Sequence, residues 1–195
     1  MYTPQHLFRG FLFLYLSIMV ALHHLGNRIC IIGLSSSGKS TLAQALGNKL
    51  NLNILHLDQI AHIPNTDWIP RDKALMTADH QTFLSDHTDW VIEGNYSFLM
   101  PERFKEATCI IWLDFSPIGA LYRYIKRSIT HRDTRPGNLD GAESQFSMKM
   151  VKYILFEAPK KSPKYVELIN NSTATFIHIR SFKELMKWYK VWGLS

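Results

Sequence analysis

The chain has 195 residues and is 46% hydrophobic, which suits one domain with a full core and leaves too little length for two ordinary domains. Its net charge of +6 favours acidic partners, meaning nucleotides, other phosphorylated molecules, nucleic acid or an anionic membrane, without choosing among them. Cys30 and Cys109 are lone cysteines in apolar runs, which excludes a disulfide framework, and no histidine or cysteine spacing indicates a structural metal.

Residues 11–22 (FLFLYLSIMVAL) form an apolar block near the start of the chain. The block is shorter than the ~20 residues that span a bilayer, and no A-x-A cleavage pattern follows it. Two interpretations stay open, namely an extension outside the fold with Met19 as the true start, or an anchor at a membrane surface. We therefore expect residues 1–27 to lie outside the core and residues 28–192 to form the domain.

A phosphate-binding motif follows the first predicted strand, 28–32. Residues 33–40 (GLSSSGKS) match G-x-x-x-x-G-K-[ST], and an apolar pattern over 41–50 predicts a helix directly afterwards. A loop of this kind wraps backbone N–H groups around nucleotide phosphates at a helix N-terminus, where the dipole favours anions. The predicted nucleotide-binding residues are Gly33, Ser35, Ser36, Ser37, Gly38, Lys39, Ser40 and Thr41.

The next elements place two carboxylates near strand ends. A second strand over 52–58 closes on Asp58, and a loop over 62–71 ends at Arg71 before a helix to about residue 85. A third strand within 89–96 is ended by Glu93 and a glycine turn. Parallel strands end at one edge of a sheet, so both acids are candidates for a cleft at that edge.

The second half of the chain continues the alternation of strands and helices. A strand over 109–114 precedes a helix from residue 117 to about 130, and a turn-rich basic segment over 128–147 suits a mobile lid. Helical patterns over 146–157 and 163–171, a strand over 175–179 and a terminal helix opened by a Ser181–Glu184 capping box complete the chain. The alternation predicts an α/β fold, a three-layer sandwich with a mainly parallel sheet.

The residue types around the loop fit phosphoryl transfer, which needs the nucleotide held, Mg²⁺ placed and charge neutralised. Lys39 is the predicted catalytic cation, and Ser40 with Glu93 is the predicted Mg²⁺ site, with a solvent-facing turn as the alternative for Glu93. Asp58 is predicted to orient or deprotonate an acceptor hydroxyl, with helix capping as the alternative. Arg71 is predicted to bind an acceptor anion, with an ordinary surface position as the alternative.

Four further arginines are candidates for neutralising the transferred phosphoryl group. Arg123 and Arg127 share one helix face because they are four residues apart, and the alternative is a solvated basic face. Arg132 and Arg135 lie in the turn-rich segment, which supports a lid that brings arginines over the phosphates and substrate.

In these motifs the chain resembles P-loop kinases of the nucleoside-monophosphate (adenylate) kinase type, and more closely the bacterial group known as DNA topology modulation proteins. The resemblance implies a P-loop NTPase fold with a five-stranded parallel core, an ATP site on the loop and a lid that contributes arginines. Two departures stand out, because Glu93 replaces the usual aspartate and Gly141-Ala142-Glu143 replaces a C-x-E segment. The marks are residues 33–41, 56–58 (HLD), 68–71 (WIPR), 91–96 (VIEGNY), 112–114 (WLD), 123–127 (RYIKR) and 134–136 (TRP).

The leading hypothesis is a cytoplasmic enzyme that uses ATP and Mg²⁺ to phosphorylate a small acceptor, with a nucleoside monophosphate as one candidate. The alternative is a nucleotide-binding regulator that binds nucleic acid with weak or no turnover, although no nucleic-acid motif is visible. A third hypothesis, that the protein is attached to a membrane, is supported only by the apolar residues 11–22. The absence of an [NT]-K-x-D motif counts against a GTPase switch.

Overall fold

The computed structural model describes residues 20–129, 136–139 and 146–195. Its centre is a parallel sheet of five strands in the order β2-β3-β1-β4-β5. The strands are β1 (Arg28–Gly33), β2 (Asn53–His56), β3 (Trp90–Glu93), β4 (Cys109–Leu113) and β5 (Thr175–Ile179). β1 lies in the middle of the sheet, so the loop that follows it opens at the centre of the carboxyl edge.

Eight α-helices cover the described part of the sheet and its ends. A π-helical turn (Tyr153–Glu157) extends the sixth helix, and short 3₁₀ turns occupy Leu22–Leu25 and Pro159–Lys161. The helices are α1 (Lys39–Leu50), α2 (Leu57–Ala61), α3 (Lys73–Asp86), α4 (Met100–Glu106), α5 (Pro117–Ile129), α6 (Met148–Lys152), α7 (Ser162–Asn170) and α8 (Phe182–Trp192).

The alternating side chains of the buried strands form two apolar layers. Ile29 and Ile31 of β1 point into the layer built with α1 and α8, whereas Cys30 and Ile32 point into the layer built with α3, α4 and α7. Strands buried on both faces are typical of a parallel sheet between helices. The predicted three-layer α/β/α fold is therefore confirmed.

One predicted element differs from the structure in a way that matters for the site. β2 ends at His56, and Asp58 lies in the first turn of α2 rather than at a strand end. The predicted terminal helix is α8, which buries Leu185, Trp188 and Trp192, whereas Phe182 is 48% exposed.

Residues 20–27 pack on the domain, so its expected start at Arg28 is too late. Leu25 is fully buried, Val20 and Leu22 contact the first apolar layer, and the Trp192 indole N–H donates to the Val20 carbonyl at 2.9 Å. Residues 1–19, which include Met19 and most of the apolar block, lie outside the described residues. No helix among the described residues has the length and apolar character needed to cross a bilayer.

Both cysteines are buried free thiols, as the sequence predicted. Burial raises the pKa of the Cys30 thiol to about 12, and it also raises the pKa of Cys109. Thiols with raised pKa are protonated and unreactive at neutral pH. They therefore serve as apolar side chains of the core.

Candidate functional site: the phosphate loop and its acidic neighbour

The loop between β1 and α1 has the backbone of an anion-binding nest. Ser36 and Gly38 adopt left-handed conformations, with φ of 62° and 94°, and the Ser37 N–H bonds to the Leu34 carbonyl at 3.2 Å. Alternating left-handed and right-handed residues turn successive N–H groups toward one concavity. The φ of Gly38 is strained for any residue with a side chain, which explains the glycine of the motif.

Several polar groups of this loop are poised to receive an anion. The hydroxyl oxygens of Ser36 and Ser37 are buried and have no hydrogen-bond partner among the described residues. Lys39 donates one hydrogen bond, of 3.1 Å, to the Leu34 carbonyl, and an ammonium group has three donors. Buried polar atoms are nearly always satisfied in folded proteins, so these orphaned hydroxyls fit a phosphate-binding loop.

Ser35 and Thr41, the remaining predicted loop residues, lie at its edges. Ser35 is partly exposed, and Thr41 is exposed on the first turn of α1. Gly33 closes β1, where its N–H donates to the Asn95 side-chain oxygen at 2.9 Å and its carbonyl accepts from the Asn95 amide at 2.5 Å. Asn95 thereby fixes the start of the loop to the end of β3.

A buried carboxylate lies beside the first turn of α1. Glu93 is 2% exposed, and its Oε1 accepts from the Ser40 hydroxyl at 3.0 Å and lies 3.0 Å from Nδ1 of His56. The sheet register explains the meeting, because His56 of β2 and Ile31 of β1 both pair with Glu93 of β3. The structure therefore brings together Ser40 and Glu93, the two predicted metal ligands.

The electrostatics favour an ionised Glu93. Burial alone raises the pKa of this carboxyl, but the hydrogen bond from His56, the positive charge of Lys39 and the Ser40 hydroxyl outweigh burial and hold the pKa below its usual value. No group of three or more His, Cys, Asp or Glu side chains forms a ready-made metal site in the described ranges. Mg²⁺ normally needs only one or two protein carboxylates beside phosphates and water, which fits this corner.

The short segment 136–139 lies against the same corner. A Cβ on Gly137 would lie 2.8 Å from Nδ1 of His56 and 3.2 Å from Cβ of Ser40, so only glycine allows this approach. The Asn138 carbonyl accepts from the Gln59 amide at 3.1 Å, and Leu139 is buried. This part of the predicted lid therefore contacts the Ser40–Glu93–His56 group directly.

The first arginine of α5 reaches the phosphate loop. Arg123 donates from Nε to the Ser36 carbonyl at 2.9 Å, and its guanidinium lies 4.9 Å from the centre of the Phe115 ring. Burial lowers the pKa of Arg123, although an arginine stays charged at neutral pH. Arg127, one turn later, lies over the Tyr124 ring. Arg132 and Arg135 fall outside the described residues.

Asp58 and Arg71, the two residues predicted to act on the acceptor, both form hydrogen bonds with other residues of the protein. Asp58 accepts a hydrogen bond of 2.7 Å from the Tyr96 hydroxyl, and burial together with this carboxylate raises the pKa of Tyr96. Arg71 donates to the Asp79 carboxylate at 2.6 Å and to the Ile60 carbonyl at 2.9 Å. The structure thus pairs Arg71 with an acid of α3.

Three residues of the site received no role from the sequence, namely His56, Asn95 and Tyr96. Each of them lies at a position that the sequence pattern could have marked. His56 ends a strand that pairs with β3 at Glu93, and Asn95 and Tyr96 directly follow the glycine turn after Glu93. The roles of these residues depend on which strands are neighbours. Spacing along the chain does not state that order.

No protein-family model matches the chain, and a sequence comparison with curated proteins gives no significant match. Among solved structures, a gluconokinase from Sinorhizobium meliloti 1021 is 12% identical, with a TM-score of 0.49 over 86% of this chain and 90% of that one. A shikimate kinase from Bacteroides thetaiotaomicron is 17% identical, with a TM-score of 0.49 over 84% and 94%. A deoxyadenosine kinase from M. mycoides is 12% identical, with a TM-score of 0.47 over 83% and 96%. Similarities of this size identify no substrate for this chain.

Proposed function

We propose that this chain is an ATP- and Mg²⁺-dependent phosphotransferase that acts on a small-molecule acceptor. The observation that supports the proposal most is the hydrogen bond between Ser40, the last residue of the phosphate-loop motif, and the buried Glu93. A serine that served only to start helix α1 would not need a hydrogen bond to a buried carboxylate of β3. The two side chains together offer the oxygen ligands that Mg²⁺ prefers.

The proposed roles follow from the contacts of each side chain. The loop N–H groups, the Ser36 and Ser37 hydroxyls and Lys39 hold the phosphates, and Arg123, seated on the loop, neutralises charge that develops on the transferred group. Mg²⁺, when bound, is held by Ser40 and Glu93 and neutralises phosphate charge. We extend the neutralising role to Arg127, and the roles of Arg132 and Arg135 in a lid stay predictions.

The acceptor side favours a hydroxyl group as the nucleophile. Asp58 already accepts one hydroxyl hydrogen bond, from Tyr96, and a carboxylate has lone pairs for a second. In the proposed step the acceptor oxygen bonds to the γ-phosphorus, the bond from that phosphorus to the bridging oxygen of ADP breaks, and Asp58 takes the hydroxyl proton. A nucleoside monophosphate remains a candidate acceptor, and the resemblance to topology modulation proteins stays a prediction.

The test is a screen for ADP production by the purified full-length chain with Mg²⁺ and ATP. Candidate acceptors are nucleoside monophosphates and small hydroxyl compounds, Lys39→Ala is the blank, and Lys105→Ala on the exposed side of α4 is the matched control. We expect one acceptor class to give turnover that Lys39→Ala abolishes and Lys105→Ala keeps. Binding of ATP with no turnover would favour the regulator, and no calorimetric heat with Mg²⁺–ATP would overturn the proposal. Because ATP is the donor, we propose a cytoplasmic location.

A further inference from the structure

A fully buried arginine lies behind the turn that follows Glu93. Arg103 of α4 is 0% exposed, and the next residue, Phe104, belongs to the apolar layer built with α3, α4 and α7. Nη2 of Arg103 donates a hydrogen bond of 2.7 Å to the Gly94 carbonyl, whereas Nε and Nη1 have no hydrogen-bond partner among the described residues. A guanidinium group has five N–H donors, so this one bond leaves most of its capacity unused.

Stability alone does not explain a charged side chain in this place. Burying a charge is unfavourable unless hydrogen bonds and a partner charge compensate it, and apolar side chains of similar size often serve the stability of a core equally well. Burial lowers the pKa of Arg103, but an arginine stays charged at neutral pH. The position therefore points to a task at the described acceptor of Arg103, the Gly94 carbonyl.

The turn at Gly94 connects two residues of the candidate site. Glu93, before the turn, accepts from the Ser40 hydroxyl at 3.0 Å, and Asn95, after the turn, bonds to both backbone groups of Gly33. Gly94 has a φ of 134°, in a region that glycine enters readily and leaves readily. The direction of the chain through this turn therefore depends on hydrogen bonds from outside it.

Two such hydrogen bonds come from different elements. The Gly94 N–H donates to the Ile31 carbonyl of β1 at 3.1 Å, and the Gly94 carbonyl accepts from the charged group of Arg103, a combination stronger than a bond between neutral groups. We infer that Arg103 is a positioning residue, which holds the Gly94 turn so that Glu93 and Asn95 keep their places against the phosphate loop. The inference rests on the proposed function, because it concerns the binding of a nucleotide with Mg²⁺.

The first test measures binding rather than turnover, by calorimetry of the full-length chain with the non-hydrolysable ATP analogue adenylyl imidodiphosphate and Mg²⁺. In Arg103→Met, which has an unbranched apolar side chain, the dissociation constant should rise about tenfold or more, as for other residues that orient metal ligands. An unchanged dissociation constant in folded Arg103→Met would overturn the inference while the proposed function stands. A wild type that does not bind the analogue would overturn the proposed function and the inference with it.

Urea unfolding separates positioning from a purely structural role. Arg103→Met removes a buried charge, so its urea midpoint should stay close to that of the wild type although its affinity falls. Ile169→Ala is the matched control, because Ile169 is 6% exposed in the same apolar layer but lies near the end of α7, at the amino edge of the sheet. This control should lower the midpoint and keep the affinity. Fewer binding sites at an unchanged dissociation constant in Arg103→Met would assign Arg103 a purely structural role and overturn the inference.

Arg103→Lys is the second variant, and it decides the question even where Arg103→Met does not fold. Its ammonium group keeps the charge but ends one bond short of the outer guanidinium nitrogens, so the hydrogen bond to the Gly94 carbonyl should lengthen. We expect binding of the analogue with Mg²⁺ to weaken about three- to tenfold, between the wild type and Arg103→Met. Wild-type affinity in folded Arg103→Lys would overturn the inference, because the bond to Gly94 would then have no effect on the site.

Discussion

The two halves of the candidate cleft are built differently. In the P-loop corner, defined by residues 33–40 with His56 and Glu93, polar groups from three adjacent strands converge and two hydroxyls have no described partner. In the acceptor segment, residues 57–79, the Arg71 guanidinium is paired with Asp79 and with a carbonyl of the same segment. The corner holds buried polar groups that have no partner among the described residues, whereas the Arg71 charge in the segment is already paired within the segment.

The difference has a structural cause. The corner lies on the rigid carboxyl edge of the sheet, where the register fixes each side chain against its neighbour. The acceptor segment crosses a loop that depends on local bonds, such as those from Arg71 N–H to the Ala61 carbonyl and from His62 to the Asp58 carbonyl. A loop of this kind adapts to its substrate more readily than a strand end does.

The largest effect is expected from Glu93→Gln, which keeps the shape of the side chain and removes its charge. If Glu93 holds Mg²⁺, turnover with ATP should fall about 100- to 1,000-fold, as for other groups that stabilise transition-state charge. Glu106→Gln on the exposed end of α4 should leave turnover unchanged. Steady-state kinetics over a range of Mg²⁺ check both variants. Unaltered Mg²⁺ dependence in Glu93→Gln would remove this carboxylate from the metal site.

His56 should act through Glu93 as a positioning residue. His56→Ala removes the group that lies 3.0 Å from Oε1 of Glu93 and should raise the Mg²⁺ concentration for half-maximal turnover about 10- to 100-fold. His56→Asn places an amide N–H near the same oxygen and should recover part of the loss. The maximal rate at saturating Mg²⁺ should change less than the Mg²⁺ requirement. An equal fall of the maximal rate in both variants would contradict the positioning role.

These two residues show how far the sequence predicted the site. The motif at residues 33–40 and the acid at Glu93 were predicted, because the motif has a fixed local geometry and Glu93 ends an apolar strand. His56 was not predicted, because its role depends on β2 lying beside β3 rather than beside β1. Asp58 was placed at a strand end because the apolar run continues through Leu57, but the chain turns into α2 one residue earlier. All five strands were predicted, although β2 came from an imperfect alternation rather than from a buried apolar run.

His80, one residue beyond the acceptor segment, and Glu93 of the P-loop corner should also respond differently to acid. Burial first, and then the charge of Arg103, lower the pKa of His80 in α3 from 6.5 to about 4. The unfolded chain binds the extra proton first, so the free energy of unfolding should fall by up to about 1.4 kcal/mol per pH unit between pH 6.5 and 4. The pKa of Glu93 is lowered from its usual value of 4.5, so the ionised carboxylate stabilises the folded chain above pH 4.5. That contribution to the free energy of unfolding is lost only as the pH falls below 4.5.

Urea unfolding at pH 7.5 and pH 5 measures this difference. His80→Leu should flatten the fall of stability over that range, because it removes the titrating ring. His24→Gln, at an exposed histidine before β1, should keep the wild-type slope. A slope that His80→Leu leaves unchanged would show that other groups destabilise the chain in this range.

The smallest effects are expected at the Arg71–Asp79 pair. Variants of this pair distinguish a role of Arg71 in stabilising the acceptor segment from a role in binding an acceptor anion. If the pair holds the segment, Arg71→Gln and Asp79→Asn should each lower the free energy of unfolding by up to about 1 kcal/mol, since both side chains are partly exposed. The double variant should then lose less than the sum of the two, because a single interaction is removed. The KM for the acceptor should change little in either variant.

If Arg71 instead binds an acceptor anion, Arg71→Gln should raise that KM about tenfold and Asp79→Asn, by freeing the guanidinium, should lower it. Changes of KM in opposite directions in the two variants would therefore show that Arg71 binds the acceptor rather than only stabilising the segment. That result would favour a phosphorylated acceptor over a neutral hydroxyl compound.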